Sequence, residues 1–179
     1  CAWGSNNNYC FTTTALTSEI WLIYEQDNDW HAKKVADIAD ASKVPLPVDI
    51  SISADDGSLW VNTWNDGTTR LFDISDPFAP KLKSETVIGE QVNMVSQSWD
   101  GKRLYYTSSL LANWDKTVST GKDLQYFKIY DYKEGKLEHK LTIDFIAEGL
   151  GYPHQMRFGA YSLYGLTAPP QPGKFAGLE

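Results

Sequence analysis

Three histidines and two cysteines are the soft donors this chain offers to a metal or to sulfur chemistry: His31, His139, His154, Cys1 and Cys10. Their surroundings differ. His154 sits in GLGYPHQMRFG, residues 149–159, behind a proline and between glycines, where a short apolar–polar alternation begins. Such a segment reads as an ordinary strand start or as a rigid carrier for an imidazole ligand. His31 follows Trp30 in the acidic–polar turn QDNDWHAKK, and His139 lies in the charged run KLEHKL, so both are expected on solvated surface. Cys10, in NYCFTTT, is expected to pack as a small core hydrophobe. Two cysteines are too few for a disulfide framework, and they do not reveal a redox compartment. The sequence contains no phosphate-cradling glycine loop, zinc-ligand spacing or Ser–His–Asp arrangement.

The elements that must position these groups follow from composition and pattern. At 179 residues, 42% apolar and 22% charged, the chain fits one globular domain with a real core. Aromatics reach 13%, with seven Trp and ten Tyr, which favours β structure or a ligand-binding surface. A net charge of −7 argues against nucleic acid and against an anionic membrane as partners. No apolar run approaches the ~18–20 residues that cross a bilayer as a helix. The chain opens on Cys1 rather than Met, with no signal-peptide pattern, and reads as a processed or excised product.

Strands dominate. Asp49–Ser53, Leu59–Trp64, Arg70–Ile74 and Leu82–Ile88 read as four short strands, with turns at Asp55-Asp56-Gly57 and Asn65-Asp66-Gly67. Pro77 and Pro80 end a strand because proline cannot donate to a ladder. The pattern then repeats: VNMVSQSWDGKRLYYTSSL matches VDISISADDGSLWVNTW, placing Leu104–Tyr106 over Leu59–Val61 at an offset of 45 residues. DLQYFKIYDYKEGKLEHKLTIDF supplies two outer strands, and residues 6–38 read as the last three strands of an earlier unit. A four-stranded unit recurring every ~40–45 residues is the mark of a β-propeller blade. The expected organisation is all-β: blades over residues 1–45, 46–90 and 91–148, the start of another at 150–165, and a Pro-rich loop or tail at 166–179. An antiparallel sandwich is the competing architecture.

In a propeller the first strand of each blade is innermost, so its leading end borders the central channel. Asp49, Asn93 and His154 all fall at such a leading end, to within one residue, and make a common mouth of binding candidates. The excursion SSLLANWDKTVSTGKD, residues 108–123, interrupts the third blade between its second and third strands. Loops on rigid blades commonly carry binding residues, and Trp114 is the candidate wall of a small apolar pocket, with Asp115 and Lys116 setting its polarity. A buried Trp pinning an inserted loop is the plainer alternative, and Trp64 in the second blade has the same ambiguity.

The runs DDGSLWVNTW, RLFDISDPFAPKL, SWDGKRLYYTSSLLANWDK and YPHQMRF together resemble the C-terminal part of the selenium-binding protein family, whose bacterial members include methanethiol oxidases. The resemblance extends from about Tyr9 to about Phe158. It implies a seven-bladed propeller, copper, and oxidation of methanethiol by O₂ to formaldehyde, hydrogen sulfide and hydrogen peroxide. Selenium binding is a further implication of the family. His154 is then the implied copper ligand, while the catalytic residues stay unassigned. Copper suits the task because a soft sulfur substrate and a one-electron oxidant call for a redox metal that accepts imidazole and thiolate donors.

Departures are clear. The family's N-terminal half, with its histidine pair and cysteine motif, is missing. Asp66 stands where relatives can carry His, and the chain's ending differs. One histidine cannot hold copper alone, so the blades missing at the N-terminal side are the expected partners. Three blades alone leave the ring open, which predicts association or aggregation of the isolated chain. Bacterial members are periplasmic and animal ones cytosolic, and nothing in this chain decides between them. The leading expectation is a copper-dependent thiol oxidase, or part of one. The alternative is a non-catalytic propeller module that binds a small ligand or a protein.

Overall fold

The computed structural model describes residues 1–5, 8–111, 115 and 124–156. Among these residues twelve strands form three four-stranded antiparallel sheets, each running in sequence order from an inner to an outer strand. Blade 1 comprises β1 (Ala2–Trp3), β2 (Tyr9–Thr14), β3 (Glu19–Gln26) and β4 (Asp29–Asp37). Blade 2 comprises β5 (Pro47–Ile52), β6 (Ser58–Thr63), β7 (Thr68–Asp73) and β8 (Lys81–Val87). Blade 3 comprises β9 (Val95–Gln97), β10 (Arg103–Thr107), β11 (Tyr126–Lys133) and β12 (Lys136–Asp144).

The repeat is visible in the registers. Ile52 pairs with Leu59 in blade 2 and Gln97 pairs with Leu104 in blade 3, so Leu59–Val61 and Leu104–Tyr106 lie in equivalent second strands of separate sheets. Each blade also carries one bulge between its third and fourth strands, at Ile20/Trp21, Leu71/Phe72 and Ile129/Tyr130. A bulge sharpens local twist, and its recurrence gives all three outer strands the same set. The β3–β4 and β11–β12 hairpins turn on Asp27-Asn28 and Glu134-Gly135, both residues of each pair having positive φ. That is the turn whose twist matches the strands it joins.

Blade 2 is buried on both faces. Leu59, Val61, Phe72 and Ile74 pack with Phe11, Ile20, Leu22 and Ile38 of blade 1. Trp60 and Leu71, one residue out of phase, pack with Val95, Leu104, Tyr106, Tyr126 and Tyr130 of blade 3. Period-two alternation therefore appears as a nearly continuous apolar run, because both sets of side chains find a core. At ~1.5–3 kcal/mol for each large apolar side chain buried, these two seams are the main source of cohesion between blades.

Two details differ from the sequence-based expectation. Blade 1 has a first strand after all, the two-residue β1, which is too short to show any periodicity. Residues 150–156, expected to open an inner strand, form no ladder; the rest of that expected unit, 157–165, and the tail lie outside the described residues. Its carbonyls are instead taken by side chains and one amide of blade 3: Ser96 Oγ donates to Met156 O at 2.7 Å, Thr107 Oγ1 to His154 O at 2.6 Å, and Ser109 N to Pro153 O at 3.1 Å. No helix among the described residues is long and apolar enough to cross a membrane.

Candidate functional site

His154 is held by its backbone and by its ring. Thr107 fixes its carbonyl, and its Nδ1 lies 2.9 Å from the carbonyl oxygen of Ser109. A carbonyl oxygen only accepts, so Nδ1 carries the hydrogen and Nε2 keeps its lone pair. The residue is exposed, so that lone pair is open to a ligand. An imidazole pinned through one nitrogen to a backbone carbonyl is the arrangement that metal-ligating histidines use.

Asn93 shares the same anchor. Its Nδ2 also donates to Ser109 O, its backbone N–H donates to Thr107 O at 2.8 Å, and its own carbonyl accepts from Asn62 Nδ2 at 2.8 Å. Both asparagines are fully buried in the seam between blades 2 and 3. They spend their amide hydrogens on carbonyls, which leaves Asn62 Oδ1 and Asn93 Oδ1 as buried acceptors with no partner among the described residues. Asn93 and His154 thus meet at one carbonyl, whereas Asp49 does not join them. Its Oδ2 accepts from Val95 N at 2.8 Å and, with Gln97 Nε2 on Ser51 Oγ at 2.8 Å, laces β5 to β9.

The loop that presents Ser109 is stapled from inside by Asp115. Ser109 Oγ donates to Asp115 Oδ2 at 2.6 Å, and Leu110 N and Leu111 N donate to Oδ1 at 3.0 and 3.1 Å. Asp115 is fully buried, so it organises the loop rather than setting the polarity of an open pocket. Ser108 Oγ donates to Gln125 Oε1 and accepts from Tyr126 N, closing the excursion's base. Trp114, proposed above as a pocket wall, lies outside the described residues, as does Lys116. Trp64 is buried and its backbone N–H donates to Leu46 O at 2.9 Å, an anchoring position.

The other histidines stand apart. His31 is exposed on β4, just beyond the turn, with its ring 5.4 Å from that of Tyr24. His139 is exposed on β12 and pairs with Thr142 Oγ1 at 2.8 Å. No cluster of three or more His, Cys, Asp or Glu gathers among the described residues. Among the described residues His154 therefore offers a single imidazole donor, of a type that copper accepts. Sequence reasoning missed Asn62, Thr107 and Ser109, and gave Asp115 a different role. The 45-residue offset does superpose Thr107 on Asn62, which marks that position as a shared polar site facing the next inner strand.

Comparison with known proteins gives this arrangement a family. The methanethiol oxidase of Ruegeria pomeroyi is 60% identical over 164 residues, covering 90% of this chain and 37% of its own length. That of a Hyphomicrobium species is 52% identical over 155 residues, covering 86% of this chain and 35% of its own. The chain thus spans a little more than a third of the length of these relatives. The X-ray structure of a hypothetical selenium-binding protein from Sulfolobus tokodaii superposes with a TM-score of 0.66 at 27% identity, over 76% of this chain and 38% of that one. A periplasmic gluconolactonase from Pseudomonas aeruginosa superposes with a TM-score of 0.64 at 13% identity, over 87% and 40% of the two chains, and shows the fold alone. With these neighbours, the three sheets are blades of a β-propeller. Residues 3–161 match the family described as 56kDa selenium binding protein (SBP56), and the chain belongs to that family.

Proposed function

We propose that the protein carrying this chain oxidises methanethiol with O₂ to formaldehyde, hydrogen sulfide and hydrogen peroxide, with copper held in part by His154. One thiol, one O₂ and one water balance those three products. The observation that carries the reading is the His154 ring: Nδ1–H tied to Ser109 O and Nε2 without a partner among the described residues, in a chain whose close relatives are named methanethiol oxidases. Copper, when bound, supplies one-electron chemistry and a soft affinity for sulfur. Selenium, as sulfur's heavier analogue, suits the same soft site.

This chain's own share is positional. Thr107 and Ser109 set the height and plane of the imidazole, and Asn93 holds the carbonyl that fixes its tautomer. Asp115 keeps that carbonyl in place from behind. In the full-length protein, His154→Ala removes one donor while leaving the strand ladders of blade 3 untouched. Copper content and methanethiol-dependent peroxide release should then fall together, whereas His139→Ala on the outer strand should change neither. Full copper and full activity in the His154 variant would refute the assignment.

A further inference from the structure

The two cysteines belong to blade 1, whereas His154 is held by Thr107 and Ser109 of blade 3, and the two cysteines meet each other. Cys1 Sγ lies 3.0 Å from Cys10 Sγ. A disulfide spans about 2.05 Å, so about 1 Å of closure separates contact from bond. The strand register explains the meeting. Trp3 pairs with Cys10 and Ala2 with Phe11, so Cys1 lies diagonally across from Cys10 on the same sheet face. The two differ in access: Cys1 is exposed and Cys10 is buried. Burial pushes the Cys10 thiol up from its ordinary pKa, which leaves Cys1 as the sulfur that an oxidant reaches first.

The pair also sits at the edge of the blade. β1 is only two residues long and is the inner edge of its sheet. Blade 3's short inner strand is fastened by side chains of Asp49, Ser51 and Ser96, and β1 has the thiol pair beside it. We infer that Cys1 and Cys10 form a peroxide-responsive dithiol–disulfide clasp that fastens β1 to β2. In the first step Cys1 sulfur attacks a peroxide oxygen, the O–O bond breaks, and Cys1 becomes a sulfenic acid with release of one water. Cys10 sulfur then attacks Cys1 sulfur, the S–S bond forms, and the hydroxyl leaves with the Cys10 proton as a second water. The two thiols lose two electrons and two protons, and the peroxide gains both.

The test uses the full-length protein carrying this chain, treated with dilute hydrogen peroxide, quenched with an alkylating agent and read by peptide mass spectrometry. The expected result is joint loss of both alkyl adducts and a Cys1–Cys10 linked peptide lighter by two hydrogens, reversed by dithiothreitol. In Cys10→Ser the link should vanish and Cys1 should be trapped as its sulfenic acid. Oxidation of Cys1 to sulfinic acid while Cys10 stays fully alkylatable would overturn the clasp. Neither readout depends on copper or methanethiol, so failure here is separable from failure of the proposed activity.

Discussion

Blades 2 and 3 share strand order, register and bulge position, yet they differ where the second strand hands over to the third. In blade 2 the connection is four residues, 64–67, and it is locked shut. Arg70 Nη2 and Nε reach Asp66 and Glu85 at 2.6 Å each, Nη1 reaches Thr63 Oγ1, and Thr63 in turn donates to Asp66. Gly67, at φ +63°, brings its carbonyl to Ile88 N at 2.9 Å, and a Cβ there would strike the Gly89 backbone. In blade 3 the same connection runs from 108 to 125, and among its described residues the buried carboxylate of Asp115 accepts from Ser109, Leu110 and Leu111. Ser109, among its first residues, offers one carbonyl both to the buried Asn93 side chain and to the exposed His154 ring. The same frame is thus closed by a guanidinium in one blade and carries a longer connection in the next, where the Ser109 carbonyl meets the His154 ring.

The largest effect should follow removal of the carboxylate that the longer connection depends on. Asp115→Ala leaves Ser109 Oγ, Leu110 N and Leu111 N without their acceptor, a loss of about 2–4 kcal/mol. Copper per folded molecule should fall as well, because Ser109 no longer sets the His154 ring. Thermal melting together with metal analysis measures both, and a variant with unchanged copper would dissolve the functional half of the comparison.

Arg70→Met breaks the closed connection instead. The Arg70 side chain is 7% exposed, but Asp66 and Glu85 are 35% and 50% exposed and regain water when it goes. The cost should therefore be about 1–2 kcal/mol, below that of a fully enclosed pair. Copper and peroxide release per folded molecule should stay at wild-type levels. Lost copper in this variant would mean that the two blade ends are coupled.

Much of this was legible from the residues alone, for identifiable reasons. The blades announced themselves because DDGSLWVNTW and WDGKRLYYTSS put turn residues and paired faces at a fixed offset. β1 was invisible because two residues carry no period, and its partner contacts come only from the fold. Asp49 and Asn93 were placed at the inner ends, but their roles depend on which backbone group each side chain meets. Asp49 caps Val95 N across a blade seam, and Asn93 caps Ser109 O, distinctions that no spacing encodes. Asp115 was read as setting the polarity of an open pocket, with a surface charge pair as the alternative; its burial against Ser109, Leu110 and Leu111 is a contact that no spacing encodes.

A smaller effect is expected at Asn93, which supports the longer connection through one hydrogen bond. Asn93→Ala removes the donor to Ser109 O, while the backbone carbonyl that accepts from Asn62 remains. The stability cost should be about 1 kcal/mol, with copper affinity weakened about 10-fold, at the low end for a residue that orients a ligand from behind. Titration of the apo protein with copper reads this directly. Affinity equal to wild type would show that Ser109 O holds the imidazole unaided.

The smallest effect extends the comparison to blade 1, whose equivalent connection spans residues 15–18 and is closed at the rim. Glu19, the next residue, pairs with Lys34 Nζ at 2.8 Å and accepts from Trp21 Nε1 and Thr17 Oγ1, both at 3.0 Å. The Lys34 ammonium, then the indole and the hydroxyl, hold its carboxyl down from the ordinary 4.5 to about 2. A carboxyl whose folded pKa is depressed stabilises the fold fully above the unfolded value, and that contribution drains away as pH falls through the folded one. Glu19's share should therefore be intact above about pH 4.5 and gone by about pH 2. Glu19→Gln keeps the shape and removes the titration. Its melting temperature should sit slightly below wild type at neutral pH, and the two should converge on acidification through that window. Rim pairs in water contribute little, so the gap at neutral pH should be small and should shrink further in high salt. A variant that runs parallel to wild type from pH 5 to pH 2 would mean that blade 1's connection draws nothing from this carboxylate, leaving Arg70's enclosed lock as the case where charge closes a blade end.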